Sequence, residues 1–119
     1  MSIRIKAWLE EDGKYLYGEG RHQIIKAVMS TGSLAAAARE LGMSYRAAWG
    51  RMKASEERLG FPLLEKGPGQ RRAMHPTREA KKLMEIYEAM TAGFEELKKQ
   101  YESRVGLELA KAAKRPSKE

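Results

Sequence analysis

The sequence predicts a mainly α fold: a winged helix-turn-helix with an N-terminal β-hairpin and a long C-terminal dimerisation helix. Three observations lead there. The first residues alternate apolar and polar with period two. Two helical segments, each opened by a serine, are separated by a three-residue turn around a glycine. A single apolar stripe then recurs in steps of three and four from Ala80 to Tyr101.

At the start, Ile3, Ile5, Ala7 and Leu9 alternate with Arg4, Lys6, Trp8 and Glu10, the pattern of a half-buried strand. Asp12-Gly13 tolerates the positive φ of a tight turn, and Tyr15-Leu16-Tyr17 returns, so a hairpin is expected over 3–17. Gly18 and Gly20 break the chain before a first helix over 21–30, whose apolar face is Ile24, Ile25, Val28 and Met29. Gly32 follows at the position where helices commonly stop.

Ser33 caps a second helix, 33–41, with Leu34, Ala37, Ala38 and Leu41 at i, i+3, i+4 and i+7. Gly42 closes it, Met43 is the apolar residue of the turn, and Ser44 caps a third helix over 44–59. The alanines matter because two helices crossing closely leave no room for bulky side chains between their axes. Gly60 and Pro62 end the third helix. Leu63–Lys66 and Ala73–His75 read as two short strands around Gly67–Arg72, a wing over 63–76 with a basic tip. The winged helix-turn-helix domain therefore spans 1–76.

Thr77 caps the fourth helix, with Glu79 well placed in its first turn. Ala80, Leu83, Tyr87, Met90, Phe94, Leu97 and Tyr101 form about three heptads of an a/d stripe. From Thr77 to Tyr101 the helix would run roughly 37 Å at the usual rise. A stripe that long calls for a partner surface, so 77–103 is expected to be a dimerisation helix. Its interface residues would be Leu83, Tyr87, Met90, Phe94, Leu97 and Tyr101. Beyond it the heptad decays, and 104–119 reads as a basic flexible tail broken by Pro116.

Charge bears on the partner, although a basic balance alone is weak evidence because many basic proteins bind no nucleic acid. The 119 residues carry 23 Lys and Arg against 16 Asp and Glu, a net +7. The excess is uneven: the first twenty residues are nearly neutral, whereas Lys66, Arg71, Arg72, Arg78, Lys81 and Lys82 crowd one stretch with Glu79 as its only acid. A basic surface favours a polyanion, because each neutralised phosphate releases condensed counterions. Double-stranded DNA is the expected partner. The third helix would enter the major groove with its first turns nearest the base edges.

Ala48, Met52, Ser55 and Leu59 fall on the inward face of that helix, which leaves Tyr45, Arg46, Trp49, Gly50 and Lys53 facing outward. Arg46 can fork onto guanine O6 and N7. Tyr45 and Trp49 suit sugars, phosphates or thymine methyls, although a helical tryptophan is as often a core residue. Lys53 suits a phosphate, and Gly50 lets the backbone approach. Ser33 and Ser44 are caps first, with phosphate contact from a helix N-terminus as a second task. Arg71 and Arg72 at the wing tip suit phosphates or the minor groove, although a solvated turn would look the same. The chain has no asparagine, so among the glutamines only Gln70 lies where it could read adenine.

Little points to catalysis. His22 and His75 are far apart and read as surface or edge residues. Gly67-Pro68-Gly69 precedes arginines and does not open a phosphate-binding helix. Glu56-Glu57 and Glu95-Glu96 read as solvated faces. With no cysteine there is no disulfide or thiolate site. No catalytic residue, metal or cofactor is expected. No apolar run nears the roughly 20 residues of a membrane span, so the expected setting is the cytoplasm.

The segments Gly32-Ser33-Leu34-Ala35-Ala36-Ala37-Ala38 and Glu56-Glu57-Arg58-Leu59-Gly60-Phe61-Pro62-Leu63-Leu64-Glu65-Lys66 resemble the winged helix-turn-helix of LysR-type regulators. Gly42-Met43-Ser44-Tyr45-Arg46-Ala47-Ala48-Trp49 is more similar still to the recognition-helix start of the ModE family, the molybdate-responsive bacterial regulators. The resemblance covers roughly residues 3 to 101. It implies that the first hairpin and the fourth helix build a homodimer. It also implies that Ser44, Tyr45, Arg46, Trp49 and the wing arginines meet DNA. ModE proteins also carry C-terminal oxyanion-binding domains. Nothing in this sequence corresponds to them, so no small-molecule effector is expected within the chain. The wing is also shorter than in long-winged members. The alternative to a sequence-specific regulator is an architectural or protein-docking winged helix whose basic face acts only electrostatically.

Overall fold

The computed structural model describes residues 1–68 and 73–114. It has two units: Ala7–Tyr87, and Met1–Lys6 with the residues from Glu88 onward. The first is a winged helix-turn-helix.

Strand β1 (Leu9–Glu11) pairs antiparallel with β2 (Lys14–Tyr17), with Leu9 opposite Tyr17, Glu10 opposite Tyr15 and an irregularity between Leu9 and Glu10. Asp12 and Gly13 both take positive φ, as a two-residue hairpin turn of this hand requires. The expected hairpin over 3–17 is thus shortened, because Ile3–Ala7 form no strand. Alternation supplies one face of a strand, but a ladder also needs a partner. Here the return arm ends at Tyr17, where Gly18 turns the chain into a helix.

Helix α1 (Glu19–Thr31) begins two residues earlier than the sequence suggests. Its N-cap is Gly18, which makes no side-chain cap bond, and a Cβ there would stand 2.9 Å from the Cβ of Trp8. Close packing against Trp8 therefore excludes the usual serine or threonine. The helix ends at Gly32, whose φ of 85° lets its N–H return to the Val28 carbonyl. Ile24, Ile25 and Val28 are buried as expected, but Met29 is 55% exposed. Met29 shares a face with Ile25, yet it lies in the last turn and borders an open groove with Pro68 and His75.

Ser33 and Ser44 each accept a hydrogen bond at 3.0 Å, from the Ala36 and Ala47 amides, and so cap α2 (Leu34–Glu40) and α3 (Tyr45–Leu59). Ala37, Ala38 and Ala48 are fully or almost fully buried where α2 packs on α1 and α3, and side chains this short let the axes approach. Gly42, with φ of 70°, makes the turn between α2 and α3.

The wing strands β3 (Leu64–Lys66) and β4 (Met74–Pro76) pair antiparallel, with Glu65 opposite His75. The Met74 amide donates to the Gly32 carbonyl at 2.8 Å, which ties the wing to the corner between α1 and α2. Thr77 holds the exit: its hydroxyl donates to the Pro62 carbonyl at 2.7 Å and accepts from the Ala80 amide. The wing tip at 69–72 lies outside the described residues.

The core gathers Tyr17, Ile24, Ile25, Val28, Leu63 and Tyr87. His22 belongs to it too, against the expectation of a surface residue. It is buried, and its Nδ1 shares a 2.5 Å hydrogen bond with the Tyr17 hydroxyl. The Tyr17 and Tyr87 rings meet edge-on at 5.3 Å, and the Tyr87 hydroxyl donates to Glu19 at 3.2 Å. A histidine one turn before Ile25 falls on the apolar face, and two aromatic neighbours make that placement tenable.

Helix α4 runs from Arg78 to Ala113, ten residues beyond the expected end at 103. The expected flexible tail is therefore corrected for 104–113. The heptad decays there, but Leu, Glu, Ala, Lys and Arg are strong helix formers, so losing the stripe does not end the helix. Residues 115–119 lie outside the described residues. Within α4, Tyr87 is corrected from interface to core: it is only 3% exposed, packed on Tyr17 and His22. Met84, which the stripe omits, is buried as well, whereas Leu83, Met90 and Phe94 are half-buried.

In the second unit the Ile3 amide donates to Glu102 at 2.6 Å. Ile3, Ile5, Leu97, Tyr101 and Val105 border an apolar groove of about 270 Å³, and Leu97 and Tyr101 remain 45% and 46% exposed.

Candidate nucleic-acid interface

The outer face of α3 is built by what its inner face does. Ala48, Met52 and Ser55 are buried, at the i, i+4 and i+7 spacing that fixes the rotation of the helix about its own axis. Tyr45, Arg46, Trp49, Gly50 and Lys53 then project outward and are exposed. Tyr45 is 54% exposed and Trp49 47%, so the core reading of Trp49 is set aside. A Cβ at Gly50 would meet nothing within 4 Å, so packing does not require the glycine.

Beside α3 runs a groove of about 380 Å³ that draws together Ser33 and Leu34 at the start of α2, Tyr45, Trp49 and Lys53 of α3, and Lys66 of the wing strand. Four of the sequence-derived positions thus share one surface. Arg46 and Gly50 stand on the outer face of α3 and do not border the groove. The Lys53 ammonium lies 5.7 Å from the centre of the Trp49 ring and 3.3 Å from the Glu56 carboxylate. Both contacts are local to α3 and the Lys53 side chain is half exposed, so its ammonium can turn to another anion. Gln70, Arg71 and Arg72 lie outside the described residues.

Sequence reasoning passed over Lys66 as a groove residue, although it opens the basic stretch. It also passed over an arginine cluster on the opposite flank of α3. The Arg21 guanidinium sits 4.3 Å from the Tyr15 ring centre, and its Nε donates to Ser55 Oγ at 3.1 Å. Arg58 donates to the Tyr15 carbonyl at 2.8 Å, and Arg51 reaches the Met43 sulfur at 3.5 Å. Burial lowers the pKa of Arg21, and the positive charges of Arg51 and Arg58 lower it further. No sequence signal joins these residues, since Arg21 and Arg51 lie thirty positions apart on different helices.

Comparison with known proteins places the chain in context. The family described as bacterial regulatory helix-turn-helix protein, lysR family, matches residues 21–81, from α1 into α4. Two molybdenum-pterin-binding proteins of Rhodobacter capsulatus are similar in sequence. MopB is 35% identical over 104 residues, and MopA is 33% identical over 86. The matches take in 86% and 72% of this chain but only 38% and 31% of those proteins. Among solved structures, the LysR family transcriptional regulator VV2_1132 matches with a TM-score of 0.54 at 20% identity, over 69% of this chain and 29% of that one. The CbnR_DBD–DNA complex matches with a TM-score of 0.49 at 25% identity, over 80% of this chain and 97% of that one.

Proposed function

The chain belongs to the lysR family of bacterial regulatory helix-turn-helix proteins, DNA-binding transcription regulators, and we propose that it reads double-stranded DNA sequence-specifically as a homodimer. The observation that carries this is the inverted outer face of α3. Large aromatic side chains and basic groups point to solvent, over an inner face of small and medium residues. A helix gains nothing by exposing Tyr45 and Trp49 unless a second surface covers them.

In this reading Arg46 reads guanine, and Tyr45 and Trp49 pack on sugars and thymine methyls. Lys53, Lys66, Ser33 and Ser44 meet phosphates, and Gln70, Arg71 and Arg72 extend the contact from the wing. The apolar strip along α4, with Leu83, Met90, Phe94, Leu97 and Tyr101, supplies the dimer contact. Two recognition helices about 34–36 Å apart then address successive major grooves. No helix among the described residues is long and apolar enough to cross a membrane, and a cytoplasmic setting goes with the proposed role.

Selection of bound fragments from a random DNA library tests specificity and half-site spacing together. The expected result is a pseudo-palindrome, bound at physiological salt roughly 10³-fold or more tighter than random duplex. Arg46→Ala should relax the preference at one guanine per half-site, and Leu97→Asp should yield a monomer in sedimentation. Equal affinity for selected and random DNA would instead favour an architectural or protein-docking module and defeat the specific reading.

A further inference from the structure

We propose that Arg51 and Arg21 form a second phosphate-gripping patch, engaging the DNA strand across the major groove from the one met by Lys53 and Lys66. The inference rests on the reading of α3 as a major-groove helix and adds a partner for residues that reading leaves idle.

Helical rotation separates the two flanks. At about 100° per residue, Arg51 lies roughly 200° around α3 from Trp49, and Arg58 roughly 180°. The groove shared by Trp49, Lys53 and Lys66 is on one side, and the arginines are on the other. A helix with its side chains is about as wide as the major groove, so a docked helix brings both flanks near phosphates, one from each strand.

The cluster itself calls for an anion. Among the described residues none of Arg21, Arg51 and Arg58 has a carboxylate oxygen within 4 Å. Arg21 is nonetheless partly buried; burial lowers its pKa, Tyr15 opposes that, and the charges of Arg51 and Arg58 add to the lowering. Like charges held together in free protein are a repulsion that a bound phosphate relieves.

The three arginines have different tasks. Arg58 ties α3 to the first hairpin through the Tyr15 carbonyl, and it borders a polar groove with Glu11, Asp12 and Glu57. Those carboxylates would repel a phosphate, and they bound the patch on that side. Arg51 is exposed and, among the described residues, has the Met43 sulfur as its hydrogen-bond partner, so its guanidinium can turn outward. Arg21 is aimed by Tyr15 and Ser55, which fixes its guanidinium before any ligand arrives.

The test uses the full chain, with fluorescence anisotropy on the selected duplex and on a random duplex of equal length, between 50 and 200 mM salt. Arg51→Ala should weaken both by the same factor and lower the slope of log affinity against log salt by about 0.9 per lost contact. Across that fourfold salt range the gap from wild type should shrink about 3.5-fold per contact, or about 12-fold for one contact on each protomer. Arg21→Lys keeps the charge and loses the fork, so it should weaken binding less and leave the slope nearly unchanged.

Replacing single phosphates by neutral methylphosphonates adds a direct readout. One position, on the strand opposite the Lys53 contact, should weaken wild type and leave Arg51→Ala unaffected. An Arg51→Ala protein that melts like wild type but keeps its affinity and salt slope overturns the patch and leaves the proposed function standing. A change in sequence preference, instead of a uniform loss, overturns the phosphate assignment. A wild-type chain that binds no duplex defeats both readings.

Discussion

Trp49→Ala separates the interface reading from the core reading of this helix. At 47% exposure, and taking up to about 250 Å² for a tryptophan, roughly 100 Å² of the indole is available for DNA to cover. At about 25 cal/mol per Å² that burial is worth up to about 2.5 kcal/mol, from which ordering of the side chain removes about 0.5–1.5. The expected loss of affinity is therefore about 1–2 kcal/mol per protomer, or roughly 5- to 30-fold. Stability should fall less than at a core site. The substitution removes an exposed cation–π contact with Lys53, worth about 0.5–1 kcal/mol, and gains part of that back because alanine favours helix. The half of the indole that the protein already covers is lost as well, so the melting temperature should fall, but by less than for a core residue. Tyr87→Ala, by contrast, empties a site that is only 3% exposed and should cost about 3–5 kcal/mol. The assay pairs thermal melts with DNA titrations. Because the chain has only two tryptophans, a Trp8→Phe background makes Trp49 the sole indole, whose emission should change on adding DNA. A Trp49→Ala protein that melts as low as Tyr87→Ala, or that binds DNA like wild type, would refute the reasoning.

Two further predictions follow from the cap and the buried phenol. Ser44→Ala removes the bond to the Ala47 amide and should cost about 1 kcal/mol in denaturant unfolding; Ser44→Asp should retain the cap yet weaken DNA binding, because it sets a carboxylate against phosphates. The Tyr87 hydroxyl is pushed up to about 12 by burial and then by Glu19, so it stays protonated in the folded chain where the unfolded chain ionises near 10. The stability it contributes is complete below pH 10 and is lost as pH rises towards 12. Absorbance titration at high pH should show a late tyrosine fraction that includes Tyr87 and Tyr15, which burial also raises, and part of it should move earlier in Glu19→Gln; five tyrosines titrating together near pH 10 in a folded protein would contradict this.

What could be read from the sequence followed from interactions that close within one turn of chain. The Ser33 and Ser44 caps, the αL glycines at 32, 42 and 60, and the inward set Ala48, Met52 and Ser55 each depend on residues no more than a few positions apart. The outward placement of Trp49 followed from that inward set. What could not be read depends on neighbours from elsewhere in the chain. Met29 has the right angle for burial but borders an open groove, and His22 is buried because Tyr17 and Tyr87 flank it. Ile3–Ala7 alternate correctly but find no strand to pair with. The last ten residues of α4 lack a stripe, and their helix formers were the better guide. The approach of Arg51 to Arg21 has no local signature at all.

In the proposed role, the same division lets α3 carry specificity without carrying stability. Its position is set by two serine caps, three alanines at the crossings and the buried Ser55, and through Ser55 the aim of Arg21 is set from below. Of these groups the alanines and Ser55 are buried, and only the capping serines and Arg21 also reach the surface. The outward residues make few contacts that the fold needs: Gly50 fills no packing space, and Lys53 pairs only with its own helix. Substitutions at Arg46, Trp49, Gly50 and Lys53 can therefore change what is read while leaving how the helix is held intact. Substitutions at Ala48 or Ser55 must disturb both, because a larger side chain there shifts the helix axis, and every outward group moves with it.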